Sequence, residues 1–311
     1  MKKISVLTAC YNEEENIEEI YKQVQEQFQN LSNYDYEHVF IDNASKDRTV
    51  EILKKIAQKD KRVKIIVNNR NFGHIRSPYY GILQCYGDAV IYIVADLQDP
   101  PCLIKEFIKK WEEGNEIVIG IKSKSEENWL MFSIRKFYYN LIGHISEIEQ
   151  IKNFTCYGLY DKKFIDLLRN IDEPYPYFRG FITEFGFKRA EIEYVQPRRE
   201  RGITKNNFYT LYDMAMLGFV NHSKIPLRLA TFIGFSVASF SLCVAFIYFI
   251  YKLVFWDEFT VGMAPMVIGL FFFSSVQLFF IGIIGEYILA IYTQIKNRPL
   301  VIEKERINFD K

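Results

Sequence analysis

The sequence predicts an α/β head, a mostly parallel sheet with helices on both faces, followed by two C-terminal transmembrane helices. Three observations support this reading. Strand-like and helix-like apolar periodicities alternate through the first two-thirds of the chain. Two long C-terminal stretches carry no charge, and the charges crowd everywhere else. Between Ile225 and Ile295 only Arg228, Lys252, Asp257, Glu258 and Glu286 are charged. With 39 Lys and Arg against 38 Asp and Glu in 311 residues, the net charge is +1, which excludes a nucleic-acid partner.

Ile4 to Ala9 reads as the first strand. Asn12 is expected to cap the next helix, with Glu15 placed for a reciprocal box and Ile17, Ile20, Tyr21, Val24 and Phe28 on one face. His38 to Ile41 is the second apolar run. Ser45 to Gln58 is a second helix with Val50, Leu53, Ile56 and Ala57 inward, and Val63 to Val67 follows as a strand. Ala89 to Ala95 is nearly continuous in apolar residues, as a strand covered on both faces should be. Pro100 and Pro101 open a helix that ends near Gly114, and Glu116 to Ile121 and Ile192 to Val195 are strands again. This alternation with short links gives a mostly parallel sheet.

Leu229 to Tyr251 and Phe259 to Gly285 are each longer than the roughly 20 apolar residues that cross a hydrocarbon core. Lys224 and Arg228 precede the first span, and Lys296, Arg298, Lys304 and Arg306 follow the second, so both ends are expected to be cytoplasmic. The run Ile4 to Cys10 has no small-residue cleavage site after it and is not a signal peptide. Cys10, Cys85, Cys102, Cys156 and Cys243 show no metal-ligand spacing and suit reduced thiols. The resulting division is a head at 1–205, a juxtamembrane amphipathic helix at 206–224, a two-helix transmembrane region at 225–295 and a cytoplasmic tail at 296–311. Phe208, Leu211, Tyr212, Ala215, Met216 and Phe219 supply the apolar face of the juxtamembrane helix, or alternatively a packed core stripe. Glu286, near the end of the second span, is either a functional carboxylate or an interfacial one.

In parallel sheets, ligands sit beyond the carboxyl ends of the strands. That rule selects the loops Tyr11 to Glu15, Asp42 to Asp47 and Asp96 to Pro101. The sequence has no GxGxxG and no GxxxxGK[ST], which argues against a dinucleotide dehydrogenase or a P-loop NTPase.

The strings Cys10-Tyr11-Asn12-Glu13-Glu14-Glu15-Asn16, Ile41-Asp42-Asn43-Ala44-Ser45, Arg70-Asn71-Phe72-Gly73 and Ala95-Asp96-Leu97-Gln98-Asp99-Pro100-Pro101 occur in that order. Arg179-Gly180, the run Arg198 to Lys205 and Pro226-Leu227-Arg228 follow them. In this order they resemble glycosyltransferase family 2, in its polyisoprenyl-phosphate branch. The resemblance implies a GT-A-like fold and an inverting transfer of one sugar from a UDP- or GDP-sugar donor to an undecaprenyl- or dolichyl-type polyprenyl phosphate. It also implies a divalent cation, Mg or Mn, at Asp96 and Gln98. Tyr11, Glu13, Asp42, Arg70 and Asp96 would contact the nucleotide-sugar. Lys122, Arg135, Arg199, Arg201 and Lys205 would contact acceptor phosphate, for which planar guanidinium groups suit. Asp96 and Glu184 are the expected catalytic residues, Glu184 through its likeness to a TE-type base site. Partners are then the donor, the lipid and the membrane, with a homo-oligomer left open.

Two departures stand out. Val94 occupies the place of the family's first acidic residue before Ala95-Asp96, and Cys156 stands where relatives carry an Asp. They keep two other readings open: transfer to a hydroxyl of a lipid-linked or polymer glycan, with Glu184 as a true base, and a non-catalytic membrane scaffold. A nucleophilic Cys156 is disfavoured, because nothing near it in sequence supplies a base.

Overall fold

The computed structural model describes residues 1–124, 151–197, 224–255, 263–296 and 298–309. Four parallel strands form the centre of an eight-stranded sheet: β1 (Lys2–Cys10), β2 (Tyr34–Asp42), β3 (Val63–Asn68) and β4 (Ala89–Val94). Their Val- and Ile-rich runs are buried on both faces, which is why they read as continuous apolar segments. Between them lie α1 (Ile17–Gln29), α2 (Thr49–Lys59) and α3 (Gly73–Leu83). A 3-10 turn at Pro101–Leu103 leads into α4 (Ile104–Glu112).

β5 (Ile117–Lys124), β6 (Phe154–Asp161) and β7 (Arg189–Val195) extend the sheet beyond β4, giving the order β7-β5-β6-β4-β1-β2-β3-β8. The short helices α5 (Lys162–Arg169) and α6 (Phe178–Glu184) lie between β6 and β7 in the chain. Residues of α1, α2 and α4 pack on one face of the sheet, and those of α3, α5 and α6 on the other.

One expectation is corrected. Asn12 does not cap the first helix: α1 starts at Ile17 after Asn16, with no side-chain cap bond. Asn12 has a φ of 54°, and its Oδ1 accepts a hydrogen bond from the Lys46 amide at 2.8 Å, so a contact between loops has replaced the local cap. The tail returns to the head. Its strand β8 (Glu303–Ile307) pairs antiparallel with β3 and covers that free edge. Lys54 Nζ meets Glu305 at 2.6 Å, and Asn308 Nδ2 donates to the carbonyls of Ala57 and Val63 at 2.8 Å each.

The last two helices, α7 (Ile225–Val254) and α8 (Met263–Ile295), contain stretches long and apolar enough to cross a membrane, Ile225–Tyr251 and Ile268–Ile295. Neither stretch is buried within the protein, unlike the core helix of a globular domain. Gln294 near the end of α8 donates to both oxygens of Glu173 at 2.8 Å, and β8 follows within ten residues. The exit of α8 is thereby tied to the head.

Candidate functional site

The chain runs β1, β2, β3 in one direction across the sheet and then crosses back to place β4 on the other side of β1. The switch point between β1 and β4 is where an open α/β sheet leaves a crevice at its carboxyl ends. Register aligns those ends: Cys10 lies beside Asp42, and Ala9 beside both Ile41 and Val94. Tyr11, Asp42 and Asp96 are therefore brought to one rim by strand pairing alone.

The first two loops on this rim are laced together. The Asn12 amide donates to Ser45 Oγ at 2.8 Å, the Glu13 amide to Thr49 Oγ1 at 2.9 Å, and the Arg48 amide to Glu14 Oε2 at 3.0 Å. The Glu13 carboxylate accepts from Asn16 Nδ2 at 2.7 Å. Asp42 is fully buried, and one oxygen accepts from the Ser45 amide at 2.9 Å while the other accepts from the Ser45 hydroxyl. Burial raises its pKa, and the bonds from Ser45 and Ala44 oppose that rise. A nucleobase reaches Asp42 only if the Ser45 turn opens, so in this structure Asp42 shapes the loop and presents no free edge.

Asn43 ties in a third segment. Its Nδ2 donates to Asn71 Oδ1 and to the Gly73 carbonyl at 3.0 Å each, while its Oδ1 accepts from the Phe72 amide at 2.8 Å. Arg70 is exposed at the tip of this segment, its guanidinium 4.2 Å from the centre of the Phe72 ring.

The Asp96 loop turns sharply, with Leu97 at a φ of 59° and the Gln98 amide donating to Asp96 Oδ1 at 3.2 Å. Two tyrosines prop it from below. Tyr157 donates to the Pro100 carbonyl at 2.5 Å, and Tyr194 donates to Asp99 Oδ1 at 2.9 Å. Asp99 is buried, and its Oδ2 has no partner among the described residues. Burial pushes its pKa up to about 6, with Tyr194 and Lys122 pulling it down and Asp96 adding to the rise.

Cys156 adjoins this loop from β6, at a φ of 68°. Pairing between β5 and β6 shifts register here, a bulge that re-aims the side chain. Burial raises the pKa of its thiol, while a hydrogen bond and charge from Arg179 pull it down. A thiol held neutral in this way is not a nucleophile. Non-glycine residues with positive φ thus cluster on the rim at Asn12, Ala44, Leu97 and Cys156, as strained backbone does at functional sites.

Sequence reasoning placed Tyr11, Glu13, Asp42, Asp96 and Gln98 on this rim, and the structure brings their loops together. Lys122, at the end of β5, is close enough for its charge to act on Asp99. Glu184 is placed differently. It lines a cavity of about 370 Å³ with Glu173, Tyr177, Phe181 and Gln294, and none of the three motif loops contributes to that cavity. The geometry therefore gives the expected catalytic-base role of Glu184 no support. Arg135, Arg199, Arg201 and Lys205, and the proposed juxtamembrane helix up to residue 223, lie outside the described residues. Sequence reasoning missed Asp99, Asn43 and the two tyrosine props. The one available signal was Gly120, which leaves the room both tyrosine rings occupy.

Among the described residues no group of three or more His, Cys, Asp or Glu side chains is arranged to hold a metal ion. Asp96 offers one hard carboxylate, Gln98 an amide oxygen, and Val94 nothing. That donor set fits a Mg-like ion that keeps water ligands and takes its remaining oxygens from a substrate phosphate.

The signature of the family described as Glycosyl transferase family 2 matches residues 5–168. An uncharacterized glycosyltransferase, YkcC, of Bacillus subtilis (strain 168) is 35% identical over 299 residues, covering 96% of this chain and 92% of its own. The bactoprenol glucosyl transferase of Shigella phage SfII is 35% identical over 304 residues, covering 97% and 98%. A prophage bactoprenol glucosyl transferase homolog of Escherichia coli (strain K12) is 34% identical over 306 residues, again covering 97% and 98%. Among solved structures, mannosyl-3-phosphoglycerate synthase from Rubrobacter xylanophilus superposes with a TM-score of 0.50 at 15% identity over 69% of this chain and 71% of that one, a likeness of fold.

Proposed function

We propose that this chain, which belongs to glycosyl transferase family 2 and is a glycosyltransferase, moves one sugar from a UDP- or GDP-sugar to a polyprenyl phosphate at a membrane surface. The observation that carries the proposal is a strained, laced rim at the sheet's switch point on a head tied to two span-length helices. Near-full-length likeness to bactoprenol glucosyl transferases supports the lipid acceptor.

In this reading the nucleotide lies along the β1–β2 rim, with Tyr11 and Arg70 flanking the base, Glu13 fixing the loop and Asp42 behind the Ser45 turn. Asp96 and Gln98 would hold a divalent cation together with the donor diphosphate. When bound, that cation offsets negative charge on the departing diphosphate. Lys122, acting on Asp99, and Arg179, acting on Cys156, would add fixed positive charge near the loop. An acceptor phosphate oxygen forms the new bond to the anomeric carbon as the bond to the donor phosphate breaks, with inversion. A phosphate is already ionised and needs no base, which agrees with the position of Glu184. Arg135, Arg199, Arg201 and Lys205 are assigned to the acceptor phosphate from the sequence alone.

The pairing of β8 with β3 supports a head and tail on one side of the membrane, and the Lys and Arg asymmetry supports a cytoplasmic location for that side. The enzyme would then sit in the cytoplasmic membrane. The test is to incubate membranes with radiolabelled sugar nucleotides and undecaprenyl phosphate. A labelled lipid-phosphate sugar is expected. Label appearing only on glycan hydroxyls would reject the acceptor.

A further inference from the structure

We infer that Arg76 and Arg298 form a seat for a lipid phosphate at the bilayer surface, distinct from the rim where transfer occurs. The inference rests on reading α7 and α8 as membrane spans.

Arg298 stands three residues beyond Ile295, where α8 ends, a place that the membrane-span reading puts beside the phospholipid phosphates. Arg76 lies in the first turn of α3, and its Nη2 donates to the carbonyl of Pro299, which joins it to the segment leaving the span. Arg70 and Arg76 both lie over the Phe72 ring, at 4.2 and 5.8 Å. The charges of Arg70 and Arg298 both act on Arg76 and, after burial, lower its pKa. Three cations are therefore crowded together.

Among the described residues no carboxylate forms an ion pair with them. Arg48, Arg62, Arg169, Arg189 and Arg306 each pair with a neighbouring acid, but Arg70, Arg76 and Arg298 have no ion-pair partner among the described residues. Arg76 Nε is buried with no hydrogen-bond partner among the described residues. The first turn of α3 contains no acidic residue, so its positive pole adds to the field. Like charges converging without a counter-charge are costly unless an anion joins them. Arg298 also rims a cavity of about 390 Å³ with Pro299, Leu300, Tyr80 and Pro174, large enough for a headgroup. Asp172 and Glu173 line the same cavity, but Glu173 is committed to Gln294.

The test uses the full chain in detergent, with thermal midpoints measured during titration with dioctanoyl phosphatidylglycerol, dioctanoyl phosphatidylcholine, a short polyprenyl phosphate and UDP. Arg298 makes no bond among the described residues and its charge crowds Arg76, so Arg298→Gln should match or slightly exceed the wild-type midpoint without lipid. It should need about fivefold more phosphatidylglycerol for the same stabilisation. Arg76→Lys, which keeps the charge but breaks the Pro299 contact, should retain the lipid response. A weakened response to both anionic lipids assigns the seat to any lipid phosphate, and one confined to phosphatidylglycerol assigns it to bulk headgroups. An unchanged phosphatidylglycerol response in Arg298→Gln, an equal wild-type response to phosphatidylcholine, or a loss confined to UDP overturns the proposal. The acceptor reading fails separately, through absence of labelled lipid from the wild-type enzyme.

Discussion

Gly120 is the position at which a single methyl group should disable the site without touching it. A Cβ built there would lie 2.9 Å from Tyr157 Cδ1, closer than real Cβ atoms approach, and 3.0 Å from Tyr194 Cε1, tighter than most real contacts. Neither ring can step aside easily. Tyr157 is fully buried, packed edge-on against Phe107 at 4.8 Å and against Tyr194 at 5.5 Å. Relief of the clash requires the rings to move by several tenths of an ångström, and overpacking of this kind costs about 1–3 kcal/mol. The same rings hold Pro100 and Asp99 through their hydroxyls, so the displacement passes to the Asp96 loop. Misplacing reacting groups by about 1 Å costs on the order of a hundredfold in rate, so Gly120→Ala should lose at least about tenfold in kcat. Its thermal midpoint should fall by a few degrees, on the basis of about 2–4 °C per kcal/mol for a head of this size. The assay is sugar transfer to lipid alongside thermal unfolding, with Tyr194→Phe as the variant that keeps the ring and removes the hydroxyl that holds Asp99. A Gly120→Ala enzyme with a lowered midpoint but wild-type kcat would refute the idea that the tyrosines steer the loop.

Asp96→Asn should lower transfer by at least about a hundredfold without shifting the thermal midpoint, and metal affinity should rise sharply when the nucleotide is present. Mg and Mn titrations with and without UDP check both points; activity retained at saturating metal would remove Asp96 from the cation's ligands. Glu184→Gln should keep kcat within about twofold, because its carboxylate lies with Glu173 and Gln294 and away from the motif loops. A loss of about 10² or more would restore it as a base. His38 is buried against Thr8, and burial lowers its pKa to about 3. Between the ordinary histidine value of about 6.5 and that value, only the unfolded chain binds the proton, so stability is full above pH 6.5 and falls as pH drops, by up to about 1.4 kcal/mol per unit. His38→Gln should flatten this slope in urea midpoints compared at pH 7 and pH 5, and an equal drop in both proteins would contradict it.

The strands β1 to β4 were legible because a strand buried on both faces must be apolar throughout, and Ile4 to Ala9 and Ala89 to Ala95 show that pattern directly. α3 was not legible. Gly73 opens it, Pro78 interrupts it, and its buried set of Ser77, Tyr79, Gly81 and Ile82 mixes polar with apolar residues. The capping role expected of Asn12 failed because its side chain found Lys46, 34 positions away in sequence. Asp96 and Gln98 could be found from their motif, whereas Asp99 in the same string could not, since its function depends on burial beside a tyrosine 95 positions away.

The sequence alone determined the fold class, the two span-length helices, the family and the three loops of the rim, because periodicity, charge exclusion and local strings are properties of neighbouring residues. Tertiary structure alone decided that the tail seals the β3 edge, that Glu184 lies with the end of α8, that Asp42 is enclosed by its own turn, and that Arg70, Arg76 and Arg298 meet near the end of α8. Each of those facts joins residues far apart in the chain, and burial, charge and hydrogen bonding between such residues exist only once the sheet has brought them together.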